Sequence, residues 1–158
     1  MRKFYPFLKL VFVLLITGSL SAQTTDLIIS EYAEGSSFNK YIEIYNGTGA
    51  PVNLTDYEIW RISNGGTWPE ASSGLTGTLA NDSTLVIANG QADPTILNLP
   101  NAVVDGILSH NGDDAIGLAK DDGTNNFILI DAVGSSGANP GSGWDVAGTT
   151  NGTANHTL

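Results

Sequence analysis

The sequence predicts an all-β protein built as a β-sandwich, and three observations support this prediction. Apolar and polar residues alternate in short runs, which is the period of half-buried strands. Turn-forming pairs of Asn, Asp and Gly separate the runs, and no sustained helical periodicity follows residue 22. Clear runs lie at 26–32, 40–46, 57–62, 84–89, 115–120 and 126–131, and weaker ones at 102–105 and 155–158.

The run at 40–46 shows the alternation most clearly. Its isoleucines fall on one face, while Tyr41, Glu43 and Tyr45 fall on the other. Because an unpaired buried charge is costly, we expect Glu43 to form a structural ion pair with Arg61. The two tyrosines, with two tryptophans nearby in the sequence, favour either stacking on sugars or bases or ordinary cross-strand packing.

Two loops in the last third of the chain carry further information. Asp122 and Gly123 separate the last two clear runs and predict a β-hairpin, because both residue types accept the positive φ of a tight turn. The stretch 134–145 is rich in Gly and Ser, which is typical of a linker. Pro140 and the large apolar Trp144 instead favour an ordered loop held in place by the indole ring, and we expect the ordered loop.

The N-terminal residues have the pattern of an export signal. Arg2, Lys3 and Lys9 precede the apolar run 10–16, and small residues follow up to Ala22. The run is shorter than the roughly 20 residues that a membrane-spanning helix needs, although a membrane anchor or a core helix is the alternative. We therefore expect a signal peptide at 1–22, one domain at 23–158, and a secreted or cell-surface location.

Composition and charge exclude several classes of function. All 16 acidic residues but only three of the six basic residues follow residue 22, so the exported part carries a net charge of −13. Such a charge repels phosphate backbones and anionic lipids, so we expect neither nucleic acid nor membrane as a partner after signal cleavage. The sequence contains no cysteine, which excludes disulfides, thiolate metal sites and a lipoprotein anchor.

No catalytic motif is recognisable, and we expect the chain not to be an enzyme. The sequence has two histidines: His110 lies beside a turn signal and is expected to be a solvated loop residue, and His156 lies in the last weak strand. There is no G-x-S-x-G nucleophile elbow and no phosphate-binding loop. The alternative is a hydrolase, either a nuclease or phosphatase of which this chain is a part, or a calcium-dependent enzyme that uses paired carboxylates.

Carboxylates are the abundant reactive groups, and they make calcium the cofactor to consider. Calcium takes six to eight oxygen ligands, and acids in loops supply them readily. Asp113 and Asp114 are adjacent in a turn and are the first candidates, with Glu31 and Glu34 at a strand end second. No EF-hand spacing is present, so the alternative is that these acids are turn formers and surface charge.

The strand runs also carry a family resemblance. The segment LIISEYAEGSSFNKYIEIYNGT at 27–48 resembles the opening of the lamin-tail domain, and together with later segments the resemblance covers nearly all of 26–158. Within that family it is most similar to the bacterial secreted branch of Bacteroidetes type. The matching segments are 29–31, 42–46, 52–57, 85–89, 111–118, 130–133, 141–144 and 156–158.

The resemblance implies an immunoglobulin-like sandwich that serves as an accessory, binding or adhesion module. Similar bacterial domains accompany secreted nucleases, phosphatases and other surface enzymes, and the family has no catalytic residues to carry over. A protein or an extracellular glycan is the partner that this role implies. Relatives usually continue beyond the position of Leu158, so the resemblance also predicts that the natural protein is longer at its C-terminus.

Overall fold

The structure is a computed structural model that describes residues 23–158. The predicted signal peptide at 1–22 lies outside the described residues. Among the described residues, no helix has the length and apolar character needed to cross a membrane.

Strands are the dominant regular structure of the described chain, as the alternation predicts. The helical elements are a single 3₁₀ turn at Leu54–Asp56 and a one-turn helix, α1, at Pro94–Leu97. The strands are β1 (Ile28–Glu34), β2 (Lys40–Asn46), β3 (Val52–Asn53), β4 (Tyr57–Ile62), β5 (Ala71–Gly74), β6 (Thr78–Leu79), β7 (Ser83–Ala88), β8 (Ala102–Val104), β9 (Ala115–Asp121) and β10 (Phe127–Val133).

Two four-stranded sheets pack face to face. The first sheet has the order β1-β2-β7-β8 and the second has the order β10-β9-β4-β5, while β3 and β6 form a small separate ladder. All strand pairs are antiparallel except β7 with β8, which run parallel. The architecture confirms the prediction of an immunoglobulin-like sandwich.

The core lies between the sheets and is filled mainly by isoleucine and leucine. Ile42 and Ile44 from the first sheet meet Ile59, Ile116 and Leu118 from the second, and all five are fully buried. Each such side chain contributes about 1.5–3 kcal/mol relative to an exposed position. These isoleucine and leucine side chains therefore determine which face of each strand points inward.

The alternation in β2 is confirmed, but the expected ion pair of Glu43 with Arg61 is wrong. Glu43 is half-buried on the outer face of the first sheet and accepts a hydrogen bond from Ser30 Oγ at 2.8 Å. Arg61 lies in the second sheet and donates from Nη1 to Ser109 Oγ. The two residues belong to different sheets, and the outward direction of Glu43 turns it away from the other sheet.

Short elements at the sheet edges escaped prediction. Strand β5 is made of Ala, Ser and Gly, so its residues carry little apolar pattern, and it forms by pairing with β4 from Glu58–Gly74 to Arg61–Ala71. Helix α1 is only one turn long, and the side chain of Asp93 caps it by accepting the N–H of Thr95 at 2.9 Å. Both elements depend on local partners rather than on a periodic pattern.

The predicted loops and the last strand are present. The hairpin between β9 and β10 turns at Gly123, which has φ of +92°, and Asp122 N–H donates to Asn126 O at 2.9 Å. In the 134–145 loop Trp144 packs directly against Gly134, where a Cβ atom would lie 2.6 Å from the indole nitrogen. This contact agrees with an ordered loop held by the indole.

The C-terminal residues extend the first sheet. Tyr32 and Leu158 exchange two backbone hydrogen bonds of 3.0 and 2.8 Å, and Glu34 N–H donates to His156 O at 3.0 Å. The weak strand signal at 155–158 therefore corresponds to a short antiparallel pairing along the free edge of β1.

Candidate functional site

The outer face of the first sheet carries a groove of about 360 Å³, which we call the outer groove. Strands β1, β2 and β7 form its floor, and the segment between α1 and β8 forms one wall. The lining residues are Glu31, Tyr41, Glu43, Thr84, Val86, Leu99, Pro100 and Asn101.

Strand register places the floor residues side by side. Glu31 on β1 lies directly opposite Glu43 on β2, and Glu43 lies opposite Val86 on β7. The wall is fastened by Asn101, whose left-handed backbone (φ +60°) turns the chain so that its side-chain amide donates to Thr84 O at 3.4 Å. Leu99, 40% exposed, thereby stands over the floor as an accessible apolar surface.

Hydrogen bonds hold the two carboxylates of the outer groove in fixed positions. Tyr41 OH donates to Glu31 Oε1 at 2.6 Å, and Ser30 Oγ donates to Glu43 Oε1 at 2.8 Å. Within residues 23–158 the ion pairs are formed by other acids, so neither Glu31 nor Glu43 has a cationic partner there. The outer groove therefore presents two oriented negative charges.

Tyr41 remains a hydrogen-bond donor at neutral pH. Burial raises the pKa of its hydroxyl to about 12, assisted by the hydrogen bond to Glu31 and the charges of Glu31 and Glu43. Its proton is therefore directed to Glu31, and its ring covers part of the floor.

A second cleft, of about 400 Å³, opens at the edge of the sandwich beside β6 and β8. Leu54, Leu79, Leu85 and Val103 supply apolar surface, and Thr78 and other small polar residues border them. No charged side chain of residues 23–158 lines this cleft. It is larger than the outer groove, but it offers few groups that would orient a ligand.

The family model described as Lamin Tail Domain matches residues 21–137, which include all ten strands. The chain belongs to the lamin tail domain family. This confirms the resemblance to the lamin-tail domain, and the family is one of immunoglobulin-like structural domains without catalytic function. A comparison with curated proteins gave no match.

In this lamin tail domain, the two glutamates predicted to bind calcium lie on opposite faces of β1. Glu31 lines the outer groove. Glu34 is 6% exposed on the inner side, where it pairs with Lys40 Nζ and also accepts the N–H of Asn155. The two carboxylates therefore share no ligand site.

The two predicted aspartates occupy the turn that precedes β9. Asp114 is buried and accepts the N–H of Asn111 at 3.0 Å and the N–H of Asn64 at 3.2 Å. Asp113 is half-buried beside it. In the described part of the chain, no group of three or more His, Asp or Glu residues is arranged to hold a metal ion. The contacts of Asp114 are those of a turn former, and calcium binding by Asp113 and Asp114 stays a prediction.

His110 is buried, so the expectation of a solvated loop residue is wrong. Its side chain is fully enclosed at one end of the sandwich, with Nε2 at 3.1 Å from Ala33 O and its ring 4.9 Å from that of Tyr32. Burial lowers the pKa of the imidazole to about 4. The loop after β8 folds under the end of the sandwich, and the sequence signal for a turn could not show this. His156, in contrast, is exposed.

The aromatic side chains of the lamin tail domain divide between packing and the outer groove. Trp60 is 8% exposed and donates from Nε1 to Glu58 at 2.8 Å, and Trp68 packs over Gly117 on the second sheet. Tyr45 donates to Asp82 at 3.0 Å at the end of the first sheet. Tyr41 alone among these residues lines the outer groove, so the aromatics do not form a continuous stacking row.

Proposed function

We propose that this lamin tail domain is an exported, non-catalytic binding module whose ligand occupies the outer groove. The observation that carries the proposal is the combination, in one groove, of apolar surface from the exposed Leu99 and Pro100 with the oriented polar groups of Glu31, Tyr41 and Glu43. A few placed polar groups on apolar walls are typical of ligand sites. The family supports a structural or binding role.

Export is supported by the charge pattern of the first 22 residues. A basic start, a short apolar run and small residues are the features of a signal peptide. We place the protein outside the cell or on its surface, as an accessory to an extracellular enzyme or a surface assembly. The net charge of −13 after cleavage disfavours nucleic acid and anionic membranes, which leaves a protein segment or an extracellular glycan as the ligand.

Blocking the outer groove tests the proposal. The full chain is expressed in an exporting bacterium, and the protein is purified from the secreted fraction. Its binding to immobilised polysaccharides and to basic, acidic and neutral peptides is measured by biolayer interferometry. Thr84→Tyr introduces a larger neutral side chain into the groove, and Thr78→Tyr introduces the same change into the second cleft.

We expect the wild-type protein to bind one ligand class, and Thr84→Tyr to weaken that binding about tenfold or more while Thr78→Tyr leaves it unchanged. The reverse pattern would move the ligand to the second cleft and overturn the proposal. Recovery of the protein only from the cytoplasm, with residues 1–22 intact, would contradict export.

Glu31 and Glu43 are cross-strand neighbours, and a pair of carboxylates is the catalytic group of many enzymes that hydrolyse glycosidic bonds. The absence of catalysis therefore needs a separate test. The secreted protein is incubated with polysaccharides, DNA and a phosphoester. We expect no turnover above buffer. Turnover that Glu31→Gln or Glu43→Gln abolishes would show that the chain is a hydrolase.

A further inference from the structure

The basic residues of the exported part are all engaged away from the outer groove. Lys40 pairs with Glu34 inside the sandwich, and Lys120 pairs with Asp26 at 2.7 Å. Arg61 lies on the second sheet and bonds to Ser109. These are the three cationic side chains of residues 23–158, so the charges of Glu31 and Glu43 are not balanced from within this part of the chain.

Glu31 and Glu43 are also direct cross-strand neighbours. Like charges in that position repel each other and weaken a sheet. Tyr41 and Ser30 each bond to one Oε1 atom, and among the described residues no protein group donates to the other oxygen of either carboxylate. Two acceptor oxygens therefore remain for a ligand, and a cation between them would remove the repulsion.

The walls of the outer groove suit a long side chain that ends in a charge. Val86 lies directly beside Glu43 in the floor, and Leu99 and Pro100 stand over it. Lysine and arginine bury an aliphatic stem against apolar surface while the charged head reaches a polar partner. The volume of about 360 Å³ leaves room for such a side chain.

We infer that the outer groove binds a basic segment of a partner protein, with one arginine held between Glu31 and Glu43. The inference rests on the proposed function and names its ligand class. Arginine suits the site better than lysine, because its planar guanidinium can bond to both carboxylates and stack on the ring of Tyr41. A neutral glycan would leave the repulsion between the carboxylates in place.

The test uses the secreted protein and a fluorescent peptide, Gly-Ser-Val-Arg-Val-Ser-Gly, with a citrulline peptide as the uncharged isosteric control. Dissociation constants are measured by fluorescence anisotropy at low and high salt. The variants are Glu31→Gln and Glu43→Gln, each of which keeps an oxygen that can accept the existing hydrogen bond. Asp56→Asn, at an exposed position in the 3₁₀ turn, removes one charge elsewhere.

We expect the arginine peptide to bind at least about tenfold more tightly than the citrulline peptide, and each groove variant to lose about tenfold in affinity. Asp56→Asn should change affinity less than about twofold, and salt should weaken wild-type binding. Equal losses in all three variants would show a general effect of net charge and overturn the inference.

Two results distinguish a failure of this inference from a failure of the proposed function. A glycan or a neutral peptide that binds and is blocked by Thr84→Tyr, together with no preference for arginine over citrulline, would overturn the basic partner and leave the binding module intact. The absence of any ligand sensitive to Thr84→Tyr would overturn both.

Discussion

Two glutamates on strand β1 have opposite environments although they are three residues apart. Glu34 faces the interior and pairs with Lys40, whose Nζ also donates to Gly35 O at 3.1 Å. Glu31 faces outward and shares the outer groove with Glu43, another carboxylate. The inner charge is neutralised within the fold, and the outer charge is not.

Burial therefore gives two identical side chains different roles. A charge taken out of water must be paired and hydrogen-bonded, otherwise its desolvation destabilises the fold by several kcal/mol. A half-exposed charge retains water and can stay without a protein cation. Inner polar residues of this sandwich are therefore structural, whereas those of the outer groove are available for a ligand.

Breaking the inner pair should give the largest effect. Lys40→Met removes the cation and leaves the charge of Glu34 buried with only the N–H of Asn155 as a partner, so we expect a loss of about 3–5 kcal/mol in the free energy of unfolding. Urea unfolding followed by circular dichroism measures it. Glu43→Gln, the matched change in the outer groove, should stay within about 0.5 kcal/mol of wild type.

Replacing both members of the inner pair removes the buried charge altogether. The double variant Lys40→Met with Glu34→Leu should recover most of the stability that Lys40→Met loses, because no buried charge remains. If Glu43→Gln proved as destabilising as Lys40→Met, the distinction between inner and outer charges would fail.

Acidification should lower the free energy of unfolding through His110, which is buried at one end of the sandwich. Its pKa is lowered by burial from 6.5 to about 4, so the unfolded chain binds the proton more readily between these values. Stability is therefore fully present above pH 6.5 and falls as the pH drops toward 4. We expect a loss of roughly 3 kcal/mol between pH 7 and pH 4, measured by urea unfolding at each pH.

His110→Gln provides the control for the acid effect. Glutamine keeps an N–H that can donate to Ala33 O but does not titrate in this range. We expect the slope of stability against pH between 6.5 and 4 to flatten in this variant. An unchanged slope would assign the acid sensitivity to other groups.

Thr153 tests a buried hydrogen bond at the same end. Its hydroxyl donates to Gly112 O at 2.6 Å and accepts the N–H of Trp144 at 2.7 Å, and the residue is fully buried. Thr153→Val keeps the shape but leaves both backbone groups without a partner, so we expect a loss of about 1–3 kcal/mol. Thr76→Val, at an exposed position, should change the unfolding free energy by less than about 0.5 kcal/mol.

Calcium should give the smallest effect. Calcium binding at Asp113 and Asp114 stays a prediction, and we expect Asp113 to be the main ligand because Asp114 already accepts two backbone N–H groups. Calcium at ten times its dissociation constant should then stabilise the protein by about 1.4 kcal/mol. Thermal melts with calcium or chelator at matched ionic strength measure this, and Asp113→Asn should abolish it. Identical melting midpoints would contradict calcium binding.

The main strands and turns could be predicted because their signals are local. Ile42 and Ile44 alternate with polar residues, and Asp122 and Gly123 fit a hairpin turn, so short stretches of sequence specify both features. The edge strands could not be predicted in the same way. Strand β5 is Ser- and Gly-rich and becomes a strand only because β4 offers it hydrogen bonds.

An acidic, all-β member of the lamin tail domain family is already specified by the amino-acid sequence, because alternation, turn chemistry and family motifs are local features of the chain. The roles of the polar residues, in contrast, depend on how the chain folds in three dimensions. His110 is buried in contact with the carbonyl of Ala33, and Leu99 lines the outer groove together with Glu31. These contacts join residues distant in sequence, and the packing of loops against the sheets, which local pattern does not specify, brings such residues together.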